Sequence, residues 1–197
     1  MADLVALECH CGQLKGTLQI ESNKKSFHVH CLCKDCQKFA EILGNEDRIL
    51  DEFGGSEIFQ TYPAYIKISE GSDKIACLQL KENSLMRWYT SCCKTPVANT
   101  MTTSKTPFAG VSVKLMRFKS EQDKQKILGP VILKAFGRSA RGKKPADAHD
   151  NFPITFMPRI LKFMLIGFIG SKFQPSPFFA NGVSVVKPKV LGSSNVP

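Results

Sequence analysis

The sequence lacks the features that mark membrane-spanning, secreted and repetitive proteins. Its longest uninterrupted apolar run, residues 163–170, has eight residues, whereas about 20 are needed to cross a bilayer. The first eight residues have neither the basic region nor the apolar run of a secretory signal peptide. There is no internal repeat and no low-complexity segment. We therefore expect a cytoplasmic globular protein without a transmembrane segment.

Acidic residues are scarce in the second half of the chain. Residues 1–103 carry 11 Lys/Arg and 13 Asp/Glu, whereas residues 104–197 carry 16 and 4. Such a basic region can face nucleic acid, anionic lipid or an acidic small molecule, or it can simply be a solvated surface. The densest basic patch consists of Arg138, Arg141, Lys143 and Lys144. Few aromatic residues accompany it, so base stacking is not indicated.

Cysteine is abundant, with eight residues in 197. Cys31, Cys33 and Cys36 follow the spacing C-x-C-x-x-C, which directs three sulfurs at one place. Zinc fits such a set best, because it favours sulfur and takes four ligands. Three close ligands leave one position open for a substrate. Alternatively, a distant cysteine fills the fourth position and the site is purely structural.

A second zinc site is predicted from Cys9, Cys11, Cys92 and Cys93. The pair at 9 and 11 supplies only two ligands, and the pair at 92 and 93 is its natural complement. Adjacent residues of a strand point to opposite faces, so Cys93 joins the site only if the chain turns there. Pro96 is consistent with such a turn. With both sites filled, the protein would hold two zinc ions.

The remaining candidate ligands have simpler interpretations. His10, His28 and His30 lie near the cysteines in sequence, and each is either a fourth ligand or an ordinary strand or surface histidine. Cys77 stands alone in an apolar segment and is expected to be a small buried hydrophobic residue.

The hydrophobic pattern predicts a mainly β protein. Short strands recur about every ten residues with turn signals between them, one of them at residues 22–25, as in β-sandwiches and barrel-like folds. Residues 119–150 are predicted to be a loop or excursion. Residues 158–169 have the pattern of a helix, which we expect to be buried against the sheet. A helix lying in a membrane interface is the alternative.

The cysteine motifs resemble those of a known family. C-H-C-G at residues 9–12, C-L-C-K-D-C-Q-K-F at residues 31–39 and a strand ending in cysteine before Thr95-Pro96 are similar to the glutathione-dependent formaldehyde-activating enzyme family, which includes centromere protein V. The resemblance covers roughly residues 5–115. It implies an Mss4-like fold of folded antiparallel sheets, with a structural zinc on Cys9, Cys11 and a late C-x-x-C. It also implies a second zinc on the cysteines of residues 31–36, where glutathione and formaldehyde meet.

The chain departs from the family pattern at the late C-x-x-C motif. Tyr89 stands where the first cysteine would be, Cys92 matches the second, and Cys93 takes the place of a usual glycine. The structural site is therefore expected to have a displaced ligand, three cysteines only, or a weaker affinity for zinc. The basic region after residue 118 lies outside the resemblance.

These observations lead to two functional hypotheses. In the first, residues 1–118 form a zinc-binding β domain with a basic extension, residues 119–197, that contains one or two helices and packs on it. Cys31, Cys33 and Cys36 would then be catalytic in a carbon–sulfur lyase of the S-(hydroxymethyl)glutathione synthase type, acting on a thiol–aldehyde adduct. Substrate carboxylates could bind basic side chains near this motif, namely Lys34, Lys38 and Arg87. In the second, both zinc ions are structural and the basic region binds nucleic acid or another anionic partner.

Overall fold

The structure is a computed structural model that describes residues 2–21 and 27–191. In these ranges the chain is mainly β, as predicted, and contains a few helices. The strands are β1 (Ala2–Glu8), β2 (Lys15–Glu21), β3 (His28–Cys31), β4 (Ser56–Thr61), β5 (Ile66–Glu70), β6 (Ile75–Gln79), β7 (Met86–Thr90), β8 (Pro96–Thr100), β9 (Ala109–Ser112), β10 (Met116–Arg117), β11 (Leu133–Ala135), β12 (Phe179–Ala180), β13 (Val183–Ser184) and β14 (Lys189–Val190). The helices are α1 (Lys34–Leu43), α2 (Glu46–Ile49), α3 (Glu121–Leu128) and α4 (Met157–Ile169). The turn predicted at residues 22–25 lies outside the described residues.

Two sheets organise the fold. A four-stranded antiparallel sheet has the order β10-β1-β2-β5. An eight-stranded sheet has the order β11-β3-β4-β9-β8-β7-β6-β14, and its edge strands β11 and β14 run parallel to their neighbours. Both edge strands come from residues after 118, so the C-terminal part of the chain extends the larger sheet on both sides. The division of the chain at residue 118 stays a prediction.

The smaller sheet follows the predicted alternation of apolar and polar residues. Leu14, Leu18 and Ile20 are buried, whereas the side chains between them face outward. Gly16 belongs to the same inward-facing series. A Cβ at Gly16 would lie 2.2 Å from the carbonyl oxygen of Lys67, so the glycine allows β5 to approach β2 closely.

The main core lies around the only tryptophan of the sequence, Trp88 on β7. Its ring stacks on Phe178, with ring centroids 4.8 Å apart and an interplanar angle of 26°. Both side chains are fully buried. Phe178 directly precedes the short strand β12 and supplies a central aromatic residue of the core.

The prediction of a loop over residues 119–150 is wrong in two places. Helix α3 begins after Ser120, whose hydroxyl accepts a hydrogen bond from the backbone amide of Asp123 as an N-cap. Strand β11 then pairs with β3, with Ala135 opposite Cys31. Strand β11 lies in a short apolar stretch between the polar and the basic parts of this region, and it borders the first cysteine motif.

Helix α4 was predicted correctly in position but only partly in burial. Phe163 and Gly167 are buried against the body of the protein, and the Phe163 ring stacks on Tyr62 with centroids 4.3 Å apart. The opposite side of the helix carries exposed Leu161 and Leu165. Within the described part of the chain, every helix is too short or too polar to cross a membrane.

Candidate metal centres

The first centre lies where β3 passes into α1. Strand β3 ends at Cys31, Cys33 is the N-cap of the helix with extended backbone angles, and Cys36 lies in the first helical turn. The backbone amide of Cys36 donates to the Cys33 sulfur over 3.4 Å. The Sγ atoms of Cys31 and Cys36 are 3.7 Å apart, and all three sulfurs lie within 4.8 Å of one another. The structure thus brings together the three cysteines that their spacing had grouped.

The pKa values of the three thiols are shifted in different directions. Hydrogen bonds with Cys31 and Cys33, together with the Arg87 guanidinium, hold the pKa of the Cys36 thiol well below its usual range. For Cys33 the bond with Cys31 lowers the pKa, but the bond with Cys36 and burial outweigh it and raise the pKa to about 11. The pKa of Cys31 is raised by its bonds with the other two thiols. The arrangement therefore favours ionisation of Cys36 over that of its two neighbours, and a bound cation would stabilise all three as thiolates.

Arg87 is the cation nearest this centre. Its side chain is only 3% exposed, and its Nη1 atom lies 3.8 Å from the Cys36 sulfur. Its Nη2 atom lies 3.7 Å from a carboxylate oxygen of the exposed Asp35, and its guanidinium lies over the Phe39 ring. Arg87 is one of the residues predicted to bind substrate carboxylates, and the structure places it directly beside the sulfurs.

The two lysines proposed with Arg87 lie in different surroundings. Lys34 lines the cavity beside the cysteines. Lys38 forms an ion pair with Glu41 one helical turn further on, over 3.0 Å, at the protein surface. Lys38 is therefore already paired with a carboxylate of its own helix.

A cavity of about 560 Å³ opens beside the three cysteines, which form part of its wall. Most of the remaining wall is apolar and comes from four strands or the loops that flank them. Its apolar members include Val29, Ile58, Phe108, Leu133, Phe136 and Phe152. No sequence motif marked these residues, because five of them are brought together by the pairing of β3, β4, β9 and β11, and Phe152 reaches the cavity from a separate segment.

The second centre joins two turns that are distant in sequence. Cys11 Sγ lies 3.4 Å from Cys92 Sγ and 3.7 Å from Cys9 Sγ. Cys92 Sγ lies 3.8 Å from Cys93 Sγ, and all four sulfurs lie within 4.8 Å of one another. The chain reverses after β7, where Lys94 adopts a positive φ of 56°. This turn is why adjacent cysteines reach the same site.

Hydrogen bonds fix both turns of the second centre. The backbone amide of Leu14 donates to the Cys9 sulfur, and that of His10 donates to the Thr95 hydroxyl. Burial opposes ionisation of Cys93, but hydrogen bonds with Thr90 and Thr95 help to lower its pKa to about 5. Cys93 is therefore prepared to be a thiolate ligand.

The distances in both centres fit zinc. Four sulfurs placed about 2.3 Å from a tetrahedral zinc ion stand about 3.8 Å from one another. The close sulfur pairs of the two clusters, 3.4–4.0 Å apart, agree with this spacing without a rearrangement of the backbone. Both clusters can hold a metal ion, and a donor set made only of sulfur favours zinc over magnesium or calcium.

The histidines do not join these clusters among the described residues. His28 Nε2 lies 2.9 Å from Glu57, and His30 Nε2 lies 2.8 Å from Asp51. His10 lines a separate cavity of about 300 Å³ beside the second centre. Cys77 is buried in β6, and burial raises the pKa of its thiol to about 12, in agreement with a core position.

Ion pairs occupy part of the predicted basic patch. Arg141 Nη2 lies 2.5 Å from Glu46, and Lys144 Nζ lies 2.6 Å from Asp150. These pairs reduce the positive charge that the patch offers to an anionic partner.

The fold and the sites define a class: a mainly β protein with two cysteine clusters that can each hold a metal ion. The chain belongs to a family of unknown function, DUF6151, whose model matches residues 1–188. A similar solved structure is the crystal structure of a Rhodobacter sphaeroides protein, a structural genomics target, with 16% sequence identity and a TM-score of 0.45. That match covers 64% of this chain and 96% of the other. No curated protein matches the chain.

Proposed function

We propose that the chain binds a zinc ion at each cysteine cluster and that the three-cysteine centre handles a thiol–carbonyl adduct as a carbon–sulfur lyase. One observation carries this proposal. The cluster with only three sulfurs borders a cavity of about 560 Å³, whereas the other cluster has four sulfurs of its own. An incomplete ligand set beside an empty volume is the arrangement of a catalytic zinc, and a complete set is that of a structural zinc.

The residues that would hold the first zinc are Cys31, Cys33 and Cys36. Zinc bound there would supply an open coordination position that lowers the pKa of an entering thiol. Arg87 contributes independently of the metal. Its buried guanidinium, 3.8 Å from the Cys36 sulfur, would stabilise that sulfur as a thiolate.

The proposed reaction is the reversible addition of a thiol to an aldehyde. A carbon–sulfur bond forms at the carbonyl carbon, the C=O π electrons move to oxygen, and the proton lost by the thiol ends on that oxygen as a hydroxyl. The reverse direction cleaves the carbon–sulfur bond. No oxidant or reductant is required, in agreement with the resemblance to the formaldehyde-activating enzymes.

The second zinc would be held by Cys9, Cys11, Cys92 and Cys93. The sulfur of Cys93 lies within the cluster, which supports the hypothesis that it replaces the cysteine lost at Tyr89. The Tyr89 ring instead packs edge-on against Phe39, with centroids 6.3 Å apart. Tyr89 thereby packs β7, which leads to Cys92 and Cys93, against α1, which begins at the first centre.

Cobalt substitution tests this function. Native mass spectrometry should find two zinc ions on the protein, and the cobalt-substituted protein should change its visible absorption when a thiol is added. Cys33→Ser should abolish the thiol response, whereas Cys11→Ser, the matched change at the other centre, should retain it. Circular dichroism would check that both variants fold. A wild-type spectrum that thiols leave unchanged would refute an open coordination position.

A further inference from the structure

The cavity beside the three-cysteine centre is poorly suited to a highly charged ligand. Besides Arg87, its wall offers one lysine, Lys34, and that charge is accompanied by Asp35. The rest of the wall is mostly apolar. A tripeptide such as glutathione carries two carboxylates and an ammonium group, and any of these that lies away from Lys34, Asp35 and Arg87 would meet mainly apolar side chains without a partner, which is strongly unfavourable.

A polar pair stands at the sulfur end of the cavity. Arg87 on β7 and Asn99 on β8 lie directly opposite each other in the sheet, so their side chains share one face. The Asn99 Oδ1 atom is buried and has no hydrogen-bond partner among the described residues. Arg87, which is 3% exposed, donates to the Cys36 sulfur over 3.8 Å, lies 3.7 Å from Asp35 and lies over the Phe39 ring. A guanidinium has five N–H donors and these two polar contacts use two of them, so an acceptor without a partner and a donor with spare N–H groups lie on one face of the sheet beside the thiols.

We propose that this cavity binds an apolar aliphatic or aromatic aldehyde, or its thiol adduct, and that Arg87 and Asn99 hold the ligand oxygen. The adduct hydroxyl can donate to Asn99 Oδ1 and accept from an Arg87 N–H, so that one group satisfies both residues. Its formation balances as described for the proposed function, with the thiol proton ending on this oxygen. The inference rests on that function for the chemistry, but the choice of an apolar ligand depends on the cavity alone.

Gly110 provides part of the space for such a ligand. It lies opposite Asn99 on β9 and lines the cavity. A Cβ at this position would lie 2.9 Å from Cγ2 of Ile58. A side chain at residue 110 would therefore intrude into the volume next to the polar pair.

A series of alkanethiols tests the ligand class. We expect affinity for the cobalt-substituted protein to rise about fourfold per methylene from ethanethiol to hexanethiol, with glutathione weaker than butanethiol. Ala135→Phe, which enlarges a buried wall residue, should flatten the series, and Gly110→Ala should weaken the longest thiol. Equal affinities along the series, or tightest binding of glutathione, would overturn the inference.

Calorimetry with hexan-1-ol separates this inference from the proposed function. The alcohol has no thiol, so it should bind the zinc-loaded protein even if no thiol reaches the metal. Asn99→Ala should weaken hexanol binding at least threefold, whereas Asn151→Ala, at an exposed position, should leave it unchanged. Absence of hexanol binding would refute the apolar site, and a missing cobalt response with intact hexanol binding would refute only the thiol chemistry.

Helix α4 carries a second, independent observation. Its outer face presents an apolar stripe at helical spacing, with Leu161 63%, Leu165 59% and Ile169 78% exposed. The helix is held in this orientation by its inner face, where a Cβ at Gly167 would lie 2.6 Å from Tyr62 and from Pro107. The stripe is therefore a fixed surface feature, and neighbouring exposed apolar side chains of this kind are typical of interaction surfaces.

The charge around this stripe selects its partner. Helix α4 itself contains two basic residues, Arg159 and Lys162, and no acidic residue, and both basic residues are exposed. We infer that α4 lies on an anionic lipid bilayer, with its apolar stripe among the acyl chains and its basic residues at the headgroups. Its 13 residues extend about 20 Å, which is too short to span the bilayer.

Vesicle sedimentation of the full chain tests this placement. The protein should pellet with phosphatidylcholine–phosphatidylserine vesicles, less with phosphatidylcholine alone, and less at high salt. Leu161→Asp should reduce pelleting at least tenfold, whereas Leu4→Asp, at a position on β1 that is 69% exposed, should have little effect. If the protein stays in the supernatant, the inference is overturned. Dimers in solution that Leu161→Asp dissociates, without vesicle binding, would instead assign the stripe to a second copy of the chain.

Discussion

The contact between Phe178 and Trp88 gives a prediction with a definite magnitude. Phe178→Ala removes a fully buried ring that stacks on Trp88. Truncation of a buried phenylalanine costs about 3–5 kcal/mol of stability. Loss of the stacked aromatic pair is either included in this cost or raises it slightly. We expect the free energy of unfolding to fall by about 4 kcal/mol. For a domain whose total stability is about 5–15 kcal/mol, this is a large fraction.

Urea denaturation followed by circular dichroism measures this change. Phe168→Ala is the matched control, because Phe168 is 49% exposed on α4 and its truncation should cost less than about 1 kcal/mol. The comparison also tests whether the C-terminal part of the chain is integral to the core. If Phe178→Ala destabilises the protein no more than Phe168→Ala does, our description of the core is wrong.

Three further predictions concern acid stability, backbone space and metal. The hydrogen bond from His28 and the charge of Lys124 lower the pKa of Glu57 from 4.5 to about 2. The ionised Glu57 carboxylate therefore stabilises the folded state fully above pH 4.5, and this stabilisation is lost as the pH falls toward 2. Glu57→Gln should therefore lower the free energy of unfolding at pH 7 by about 1–2 kcal/mol, a value reduced for partial exposure. It should also weaken the fall of stability between pH 4.5 and pH 2. If stability falls as steeply in the variant as in the wild type, this prediction is wrong. Gly55→Ala places a Cβ 1.9 Å from His30 Nε2 and should cost about 1–3 kcal/mol, and an unchanged Tm would show that the loop adapts freely. A zinc chelator should lower Tm by about 5 °C or more, and equal melting of treated and untreated protein would argue against metal-stabilised turns.

The cysteine clusters were predictable because most of their members lie close to one another in the sequence, at spacings typical of metal-binding motifs. Three cysteines within six residues at the start of a helix converge whatever the rest of the fold does. The C-x-C pair at residues 9 and 11 supplies only two zinc ligands, and few other cysteines in the sequence could complete the site. The participation of Cys93 was predicted only on the condition that the chain turns there, because that turn depends on the positive φ of Lys94, which sequence periodicity does not encode.

The cavity and the C-terminal contacts were not predictable for a different reason. Asn99, Gly110 and Leu133 are far apart in sequence and meet only through strand pairing. Phe178 lies in a proline-rich segment without alternation, so nothing local indicates that it enters the core. Helix α4 shows the converse, since an apolar sequence indicated burial and the structure leaves one face uncovered.

X-ray absorption at the zinc edge can decide whether one zinc ion is held by four protein sulfurs and the other by three. We expect an average shell of about 3.5 protein sulfurs at about 2.3 Å, which rises to about four when a thiol ligand is added. A shell of four sulfurs that thiols leave unchanged, or zinc bound mainly through nitrogen and oxygen, would contradict this expectation.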